Sequence, residues 1–152
     1  LPPVDTTHNM RAEMSLILLD VDFFKLYNDH YGHQQGDECL RRIAGVLSGC
    51  AKRPSDLVAR YGGEEFVCIL PDTDISGAIY VAECIRQSVM EQAIPHARSE
   101  IADRVTVSLG VTSSRCHSET SPAHLLEQAD RYLYRAKNAG RNRIESPQSD
   151  AP

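Results

Sequence analysis

Apolar runs long enough to cross a bilayer are missing from this chain. Stretches such as Leu16–Leu19 are strand-sized, against the roughly 20 residues a spanning helix requires. No secretory pattern opens it, so the expected location is the cytoplasm. Positive charge is scarce, with 16 Lys and Arg against 21 Asp and Glu and a formal net charge of −5. That balance excludes a protein that coats a DNA or RNA polymer through a broad basic face. It leaves room for a nucleotide, whose phosphates need only metal ions and a few placed cations. The five cysteines (Cys39, Cys50, Cys68, Cys84, Cys116) form no CxxC, and the six histidines are scattered, which argues against zinc. The thiols read as reduced packing groups. There is no internal repeat and no linker dividing the chain. With 41% hydrophobic and 24% charged residues in 152, one domain around one core is expected.

What is present alternates between strand and helix signals. Leu1–Met14 reads as an irregular lead-in. Ser15–Val21 is a continuous apolar run ending in acid, as a buried central strand should be. Phe23–His30 suits a short helix broken at Tyr31-Gly32-His33, and Asp37–Gly49 carries Leu40, Ile43, Ala44 and Leu47 at helical spacing. Leu57–Tyr61 and Glu65–Leu70 flank Gly62-Gly63-Glu64, a hairpin signal in which the glycines are expected to supply positive φ. Pro71–Asp74 closes the second of these strands and caps a helix to about Ala93; Ile94–Asp103 reads as a loop. Val105–Thr112 is a further strand, and Ser121-Pro122 opens a helix that Gly140 stops. Arg143-Ile144 adds a short strand, and 145–152 reads as a disordered tail. The order β-α-α-β-β-α-β-α-(β) implies an α/β domain, with a mostly antiparallel sheet flanked by helices.

Two pairs of acids fall at strand ends. Asp20 and Asp22 share a face by period two, and Glu64 and Glu65 lie at the hairpin tip. Either pair alone is better read as a solvated turn. Both together, with the hairpin beside the first strand, make a cluster that repels itself unless cations fill it. Hard oxygen donors of that kind select Mg²⁺ or Mn²⁺. The amides of Phe23, Phe24 and Lys25 open a helix and can bind phosphate, although core packing for the two rings competes with that role. Lys137 and Arg141 straddle a helix end, where cations also complement the dipole. A carboxylate at Asp37 can accept both N1–H and the exocyclic amine of guanine. Asn28 and Asp37 serve equally well as helix caps.

Tyr61-Gly62-Gly63-Glu64-Glu65-Phe66 resembles the signature of the GGDEF domain, in its GGEEF form. The resemblance extends through the run Asp20–Asp29, Tyr31-Gly32-His33, Gly36-Asp37, Val107–Val111, Ala129-Asp130 and Tyr134–Asn142, and so covers about residues 15–144 in order and spacing. It implies a nucleotide-cyclase and polymerase-palm type of fold and a diguanylate cyclase, which joins two GTP into cyclic di-GMP. It further implies two Mg²⁺ or Mn²⁺ per active site on Asp20, Glu64 and the Val21 carbonyl, with Glu65 assisting catalysis. Gly62 and Gly63 would let the backbone approach the nucleotide. Phe23, Phe24, Lys25, Lys137 and Arg141 would hold phosphates, and Asn28 and Asp37 would read guanine. Two nucleotides must face one another, so a homodimer, permanent or transient, is the expected active species.

Arg53-Pro54-Ser55-Asp56 precedes Gly62 at the family's spacing for an RxxD product-inhibition site, with Arg53 and Asp56 as contacts to cyclic di-GMP. An arginine that completes this site in some members falls at Cys84 here, with Arg86 nearby. The DxLTGLxNRR segment usual before the first strand is missing from Leu1–Met14, which reads as a shortened chain. The rival functional class is a non-catalytic GGDEF-like module that binds GTP or cyclic di-GMP.

Overall fold

The computed structural model describes residues 13–115 and 121–150. Cys116, His117 and most of the lead-in therefore lie outside the described residues. Strand β1 spans Glu13–Val21, starting before the expected lead-in ends. Helices α1 (Phe24–Tyr31) and α2 (His33–Cys50) follow, meeting at Gly32, whose φ of 91° ends one helix and starts the next. Strands β2 (Leu57–Arg60) and β3 (Glu65–Pro71) form the hairpin. Helix α3 (Ile75–Glu91) is capped by Asp74, whose side chain accepts from Gly77 N at 2.8 Å. Strand β4 is Val107–Arg115, and α4 is Pro122–Asn138 with Ser121 as its cap. The C-terminal segment differs from the expected disordered tail. Ile144–Glu145 form β5 and Pro147–Asp150 a 3-10 turn.

The sheet order is β2-β3-β1-β4-β5, antiparallel throughout except for the β4–β5 pair. Alternation along β1 explains the layers. Ile17, Leu19 and Val21 join the larger core with Phe24 of α1, Ile43 of α2 and Ile85 of α3. Leu16 and Leu18 point to the other face, against Leu125, Ala129 and Leu133 of α4. Gly110 of β4 permits that second contact. A Cβ there would lie 2.2 Å from the Ala129 carbonyl oxygen and 2.3 Å from Leu133 N. Helices thus cover both faces, and β1 lies in the middle of the sheet, with Asp20 buried near its C-terminal end.

Candidate active site

Register brings the acids to one place. β1 and β3 pair Asp20 with Glu65, and Val21 N donates to the Glu64 carbonyl at 3.2 Å. Asp20 lies on the face of Leu16 and Leu18, under the last turn of α4, where Lys137 Nζ donates to its Oδ2. Its Oδ1 is buried and has no partner. Burial raises the Asp20 pKa above the ordinary carboxylate value even though Lys137 opposes the shift. Glu64 and Glu65 are raised as well, first by burial and then by repulsion from Asp20. An orphaned buried oxygen among carboxyls that resist ionisation is a donor set that suits a hard divalent cation. Among the described residues no three His, Cys, Asp or Glu side chains close into a ligand cluster by themselves.

Asp22 behaves differently from Asp20. It is 1% exposed and accepts from Thr106 Oγ1 (2.8 Å), Ser108 Oγ (2.6 Å) and Asn142 N (3.1 Å), with Arg141 at 3.9 Å. Those partners occupy its oxygens and make it a tie between β1, β4 and the end of α4. Ser108 and Asn142 lie in the runs that carry the family resemblance, but spacing gave neither them nor Thr106 this role, since they lie 84 (Thr106), 86 (Ser108) and 120 (Asn142) residues away.

Phe23 sits outside α1, as its N-cap, with φ 54° in the left-handed region. No side chain caps this helix start. The Phe23 carbonyl is held from below by His96, which is 1% exposed, with Nε2 at 3.0 Å. A carbonyl can only accept, so Nε2 carries a proton in this contact. Nδ1 is buried without a partner, and burial lowers the His96 pKa. Tyr27 packs edge-on against the same ring at 5.3 Å. Above, the Arg141 guanidinium stacks on the Phe23 ring at 4.5 Å. Phe24 is core, and Lys25 is exposed. His96 was missed because it falls in what reads as an irregular loop.

Asp37 is not a helix cap, because α2 begins one turn earlier, at His33. It lines a cavity of about 430 Å³ between α2 and β2 with Leu40, Arg41, Ala59, Arg60 and Phe66. Asn28 does not cap through its side chain either. Its buried Oδ1 has no partner and lies where a Cβ on Gly36 would have to be. Gly62 and Gly63 correct another expectation, since neither has positive φ. The turn is closed by the Arg60 guanidinium on the Gly63 carbonyl (2.6 Å), and by Tyr61 N on the Glu65 carbonyl (2.8 Å). A Cβ on Gly63 would touch nothing within 4 Å. Neither the turn nor the interior requires a glycine there.

The Arg53 and Asp56 side chains pair with one another at 2.9 Å, and Arg53 reaches on to Thr73 Oγ1 at 2.5 Å and to the Pro71 carbonyl. Arg86 cannot join them. It is held by Glu83 at 2.6 Å and by Asn142 at 3.3 Å on the opposite side of α3 from Cys84.

A family model for "Diguanylate cyclase, GGDEF domain" matches residues 4–143. The chain belongs to the GGDEF family. This GGDEF domain is 39% identical over 149 residues to Diguanylate cyclase A of Treponema denticola, covering 98% of the chain and 39% of that protein. It is 46% identical to Diguanylate cyclase DgcM of Escherichia coli over 87% of the chain and 30% of that protein. With Response regulator PleD of Caulobacter vibrioides it shares 44% identity over 86% of the chain and 28% of that protein. The chain thus spans less than two-fifths of these relatives. Among solved structures, the GGDEF domain of DgcB from Caulobacter crescentus in complex with c-di-GMP superposes with a TM-score of 0.79. Its identity is 37%, and the match covers 90% of this chain and 79% of that one. The active GGEEF domain of a diguanylate cyclase from Vibrio cholerae gives 0.78 at 34% identity, covering 94% and 88%. Both the family and the α/β fold expected from the sequence are borne out. No helix among the described residues is long and apolar enough to cross a membrane.

Proposed function

We propose that this GGDEF domain condenses two GTP molecules into cyclic di-GMP with release of two pyrophosphates, each copy presenting one GTP to a second copy. The observation that carries the reading is the meeting of Asp20 with Glu64 and Glu65 at one sheet end, with an Asp20 oxygen buried and unpartnered. Asp20, Glu64 and the Val21 carbonyl would hold Mg²⁺ or Mn²⁺, two per site, which supplies activation of a ribose 3′-hydroxyl and neutralisation of charge at the α-phosphate.

The remaining roles belong to the chain's own groups. The amides of Phe23, Phe24 and Lys25 receive the β- and γ-phosphates at the uncapped start of α1, helped by the exposed Lys25 ammonium. Lys137, resting on Asp20, and Arg141, stacked on Phe23, are within reach of the same phosphates. Asp37 in its cavity, and Asn28 with its unpartnered Oδ1, read the guanine edge. Gly62 and Gly63 leave the hairpin tip bare for close approach. The 3′-oxygen of one nucleotide attacks the α-phosphorus of the other, and the bond to the β-phosphate oxygen breaks. Glu65, which faces Asp20 across the β1–β3 pair, takes the hydroxyl proton. Arg53 and Asp56 form the product site, with the Arg53 side chain 45% exposed beside its internal partners.

Incubation of the purified domain with GTP and Mg²⁺, with products weighed by mass spectrometry, tests the reading. Cyclic di-GMP and pyrophosphate are expected, and Glu64→Ala should lose at least a hundredfold in turnover at unchanged melting temperature. A Glu64→Ala protein as active as the parent overturns the site assignment. Tight GTP binding without any product supports the non-catalytic alternative instead.

A further inference from the structure

The catalytic reading makes no use of a pair of thiols at the far end of α2. Cys50 is the last residue of α2, and Cys84 lies in the middle of α3. Their sulfurs are 2.6 Å apart, and both residues are partly exposed free thiols. Two sulfurs ordinarily keep a much wider non-bonded separation, whereas a disulfide needs about 2.05 Å. The pair thus needs only a small closing movement to bond. Ser88 Oγ, 3.9 Å from Cys50 Sγ, is the only other side-chain hydrogen-bonding contact of that sulfur among the described residues. Cys39 and Cys68, by contrast, are buried.

We propose that Cys50 and Cys84 are a reversible redox site that closes to an intrachain disulfide fastening α2 to α3. A low-molecular-weight disulfide such as glutathione disulfide is the oxidant. One protein thiolate attacks it to form a mixed disulfide and release one glutathione. The second protein thiol then displaces the other glutathione. Two cysteine sulfurs are oxidised, two glutathione sulfurs are reduced, and the two thiol protons end on the released glutathiones. Burial pushes the Cys50 thiol up to about 11, which slows the exchange at neutral pH. The product disulfide is uncharged and loses nothing by being half-buried.

The position gives the bond a consequence. Cys50 leads directly into the turn that carries Arg53, and that turn is anchored at its other end by Arg53 on Thr73 and the Pro71 carbonyl. Closing the disulfide fixes the near end too, so redox state sets how freely residues 51–56 move. The site stands apart from the acidic cluster and holds whether or not the product-inhibition reading does.

The test is equilibration of the whole chain across glutathione redox ratios, followed by alkylation of free thiols and a non-reducing peptide map. A Cys50–Cys84 cross-linked peptide is expected, with intact mass lower by two hydrogens and full reversal by dithiothreitol. Because the bond closes a loop of 34 residues, the oxidised form should melt about 5 °C or more above the reduced form. Amide exchange in residues 51–56 should slow at least threefold. Cys84→Ser should show neither change, and the map of the parent protein stands even if that variant folds poorly. Both thiols remaining open to alkylation in excess glutathione disulfide under native conditions would overturn the proposal. So would a cross-link mapping to another cysteine pair.

Discussion

Asp20 is held in a place that does not favour its charge. Its folded-state pKa is raised above the unfolded value chiefly by burial, and Glu64 and Glu65 are raised beside it. A carboxyl in that condition is preferred protonated by the folded state. Its penalty is absent below the ordinary carboxylate value of about 4 and is fully present once pH has passed the raised folded value. Asp20→Asn should therefore melt no lower than the parent at neutral pH in chelator, with its relative advantage shrinking as pH falls toward about 4. Turnover should be lost. A clear drop in melting temperature at neutral pH would show that Lys137 outweighs the burial of Asp20. His96 makes a second case, since it works through Phe23. His96→Leu should raise KM for GTP several-fold with kcat little changed, and His96→Gln, which can still donate to the Phe23 carbonyl, should recover most of the loss. Equal damage in both variants, or a fall confined to kcat, would remove His96 from the positioning of the phosphate amides.

At the scale of elements, the close approach of α4 to β4 depends on a missing methyl group. A Cβ at Gly110 would run into backbone atoms of Ala129 and Leu133, which cannot turn aside as a side chain can. Gly110→Ala should cost about 3 kcal/mol or more, and the melting temperature should fall by roughly 10 °C. A loss under about 1 kcal/mol would mean that α4 can slide along the sheet. The elements themselves were legible where apolar runs and caps coincide, as in β1, the hairpin, α3 behind Asp74 and α4 behind Ser121. The first turn of α2 was not, because His33-Gln34-Gln35-Gly36 has no apolar period. Gly36 is fixed there by its fit against Asn28, which only tertiary contact reveals. Gly62-Gly63 was located correctly for the wrong reason: Arg60 closes the turn, and the glycines have ordinary φ.

Across the whole molecule, the candidate site is where both core layers end together. One layer brings Asp20 under Lys137, and the other brings Phe23 over His96. Motif spacing named the acids. Spacing alone put Asp20 and Asp22 on one face, and only the family resemblance favoured Asp20; the structure gives the physical difference, a free oxygen on Asp20 against Asp22 oxygens taken by groups 84 to 120 residues away. Communication with the Arg53 turn also belongs to this scale. Arg53→Ala should relieve inhibition by added cyclic di-GMP at least tenfold in its half-inhibitory concentration, with initial turnover unchanged. Equal sensitivity of variant and parent would assign Arg53 to bracing the α2–β2 turn through Asp56 and Thr73. The tie between Asp22 and the Asn142 amide has one more effect. A chain still emerging from the ribosome presents its signature acids well before Asn142, so Asp22 stays untied until α4 and the turn after it have been made.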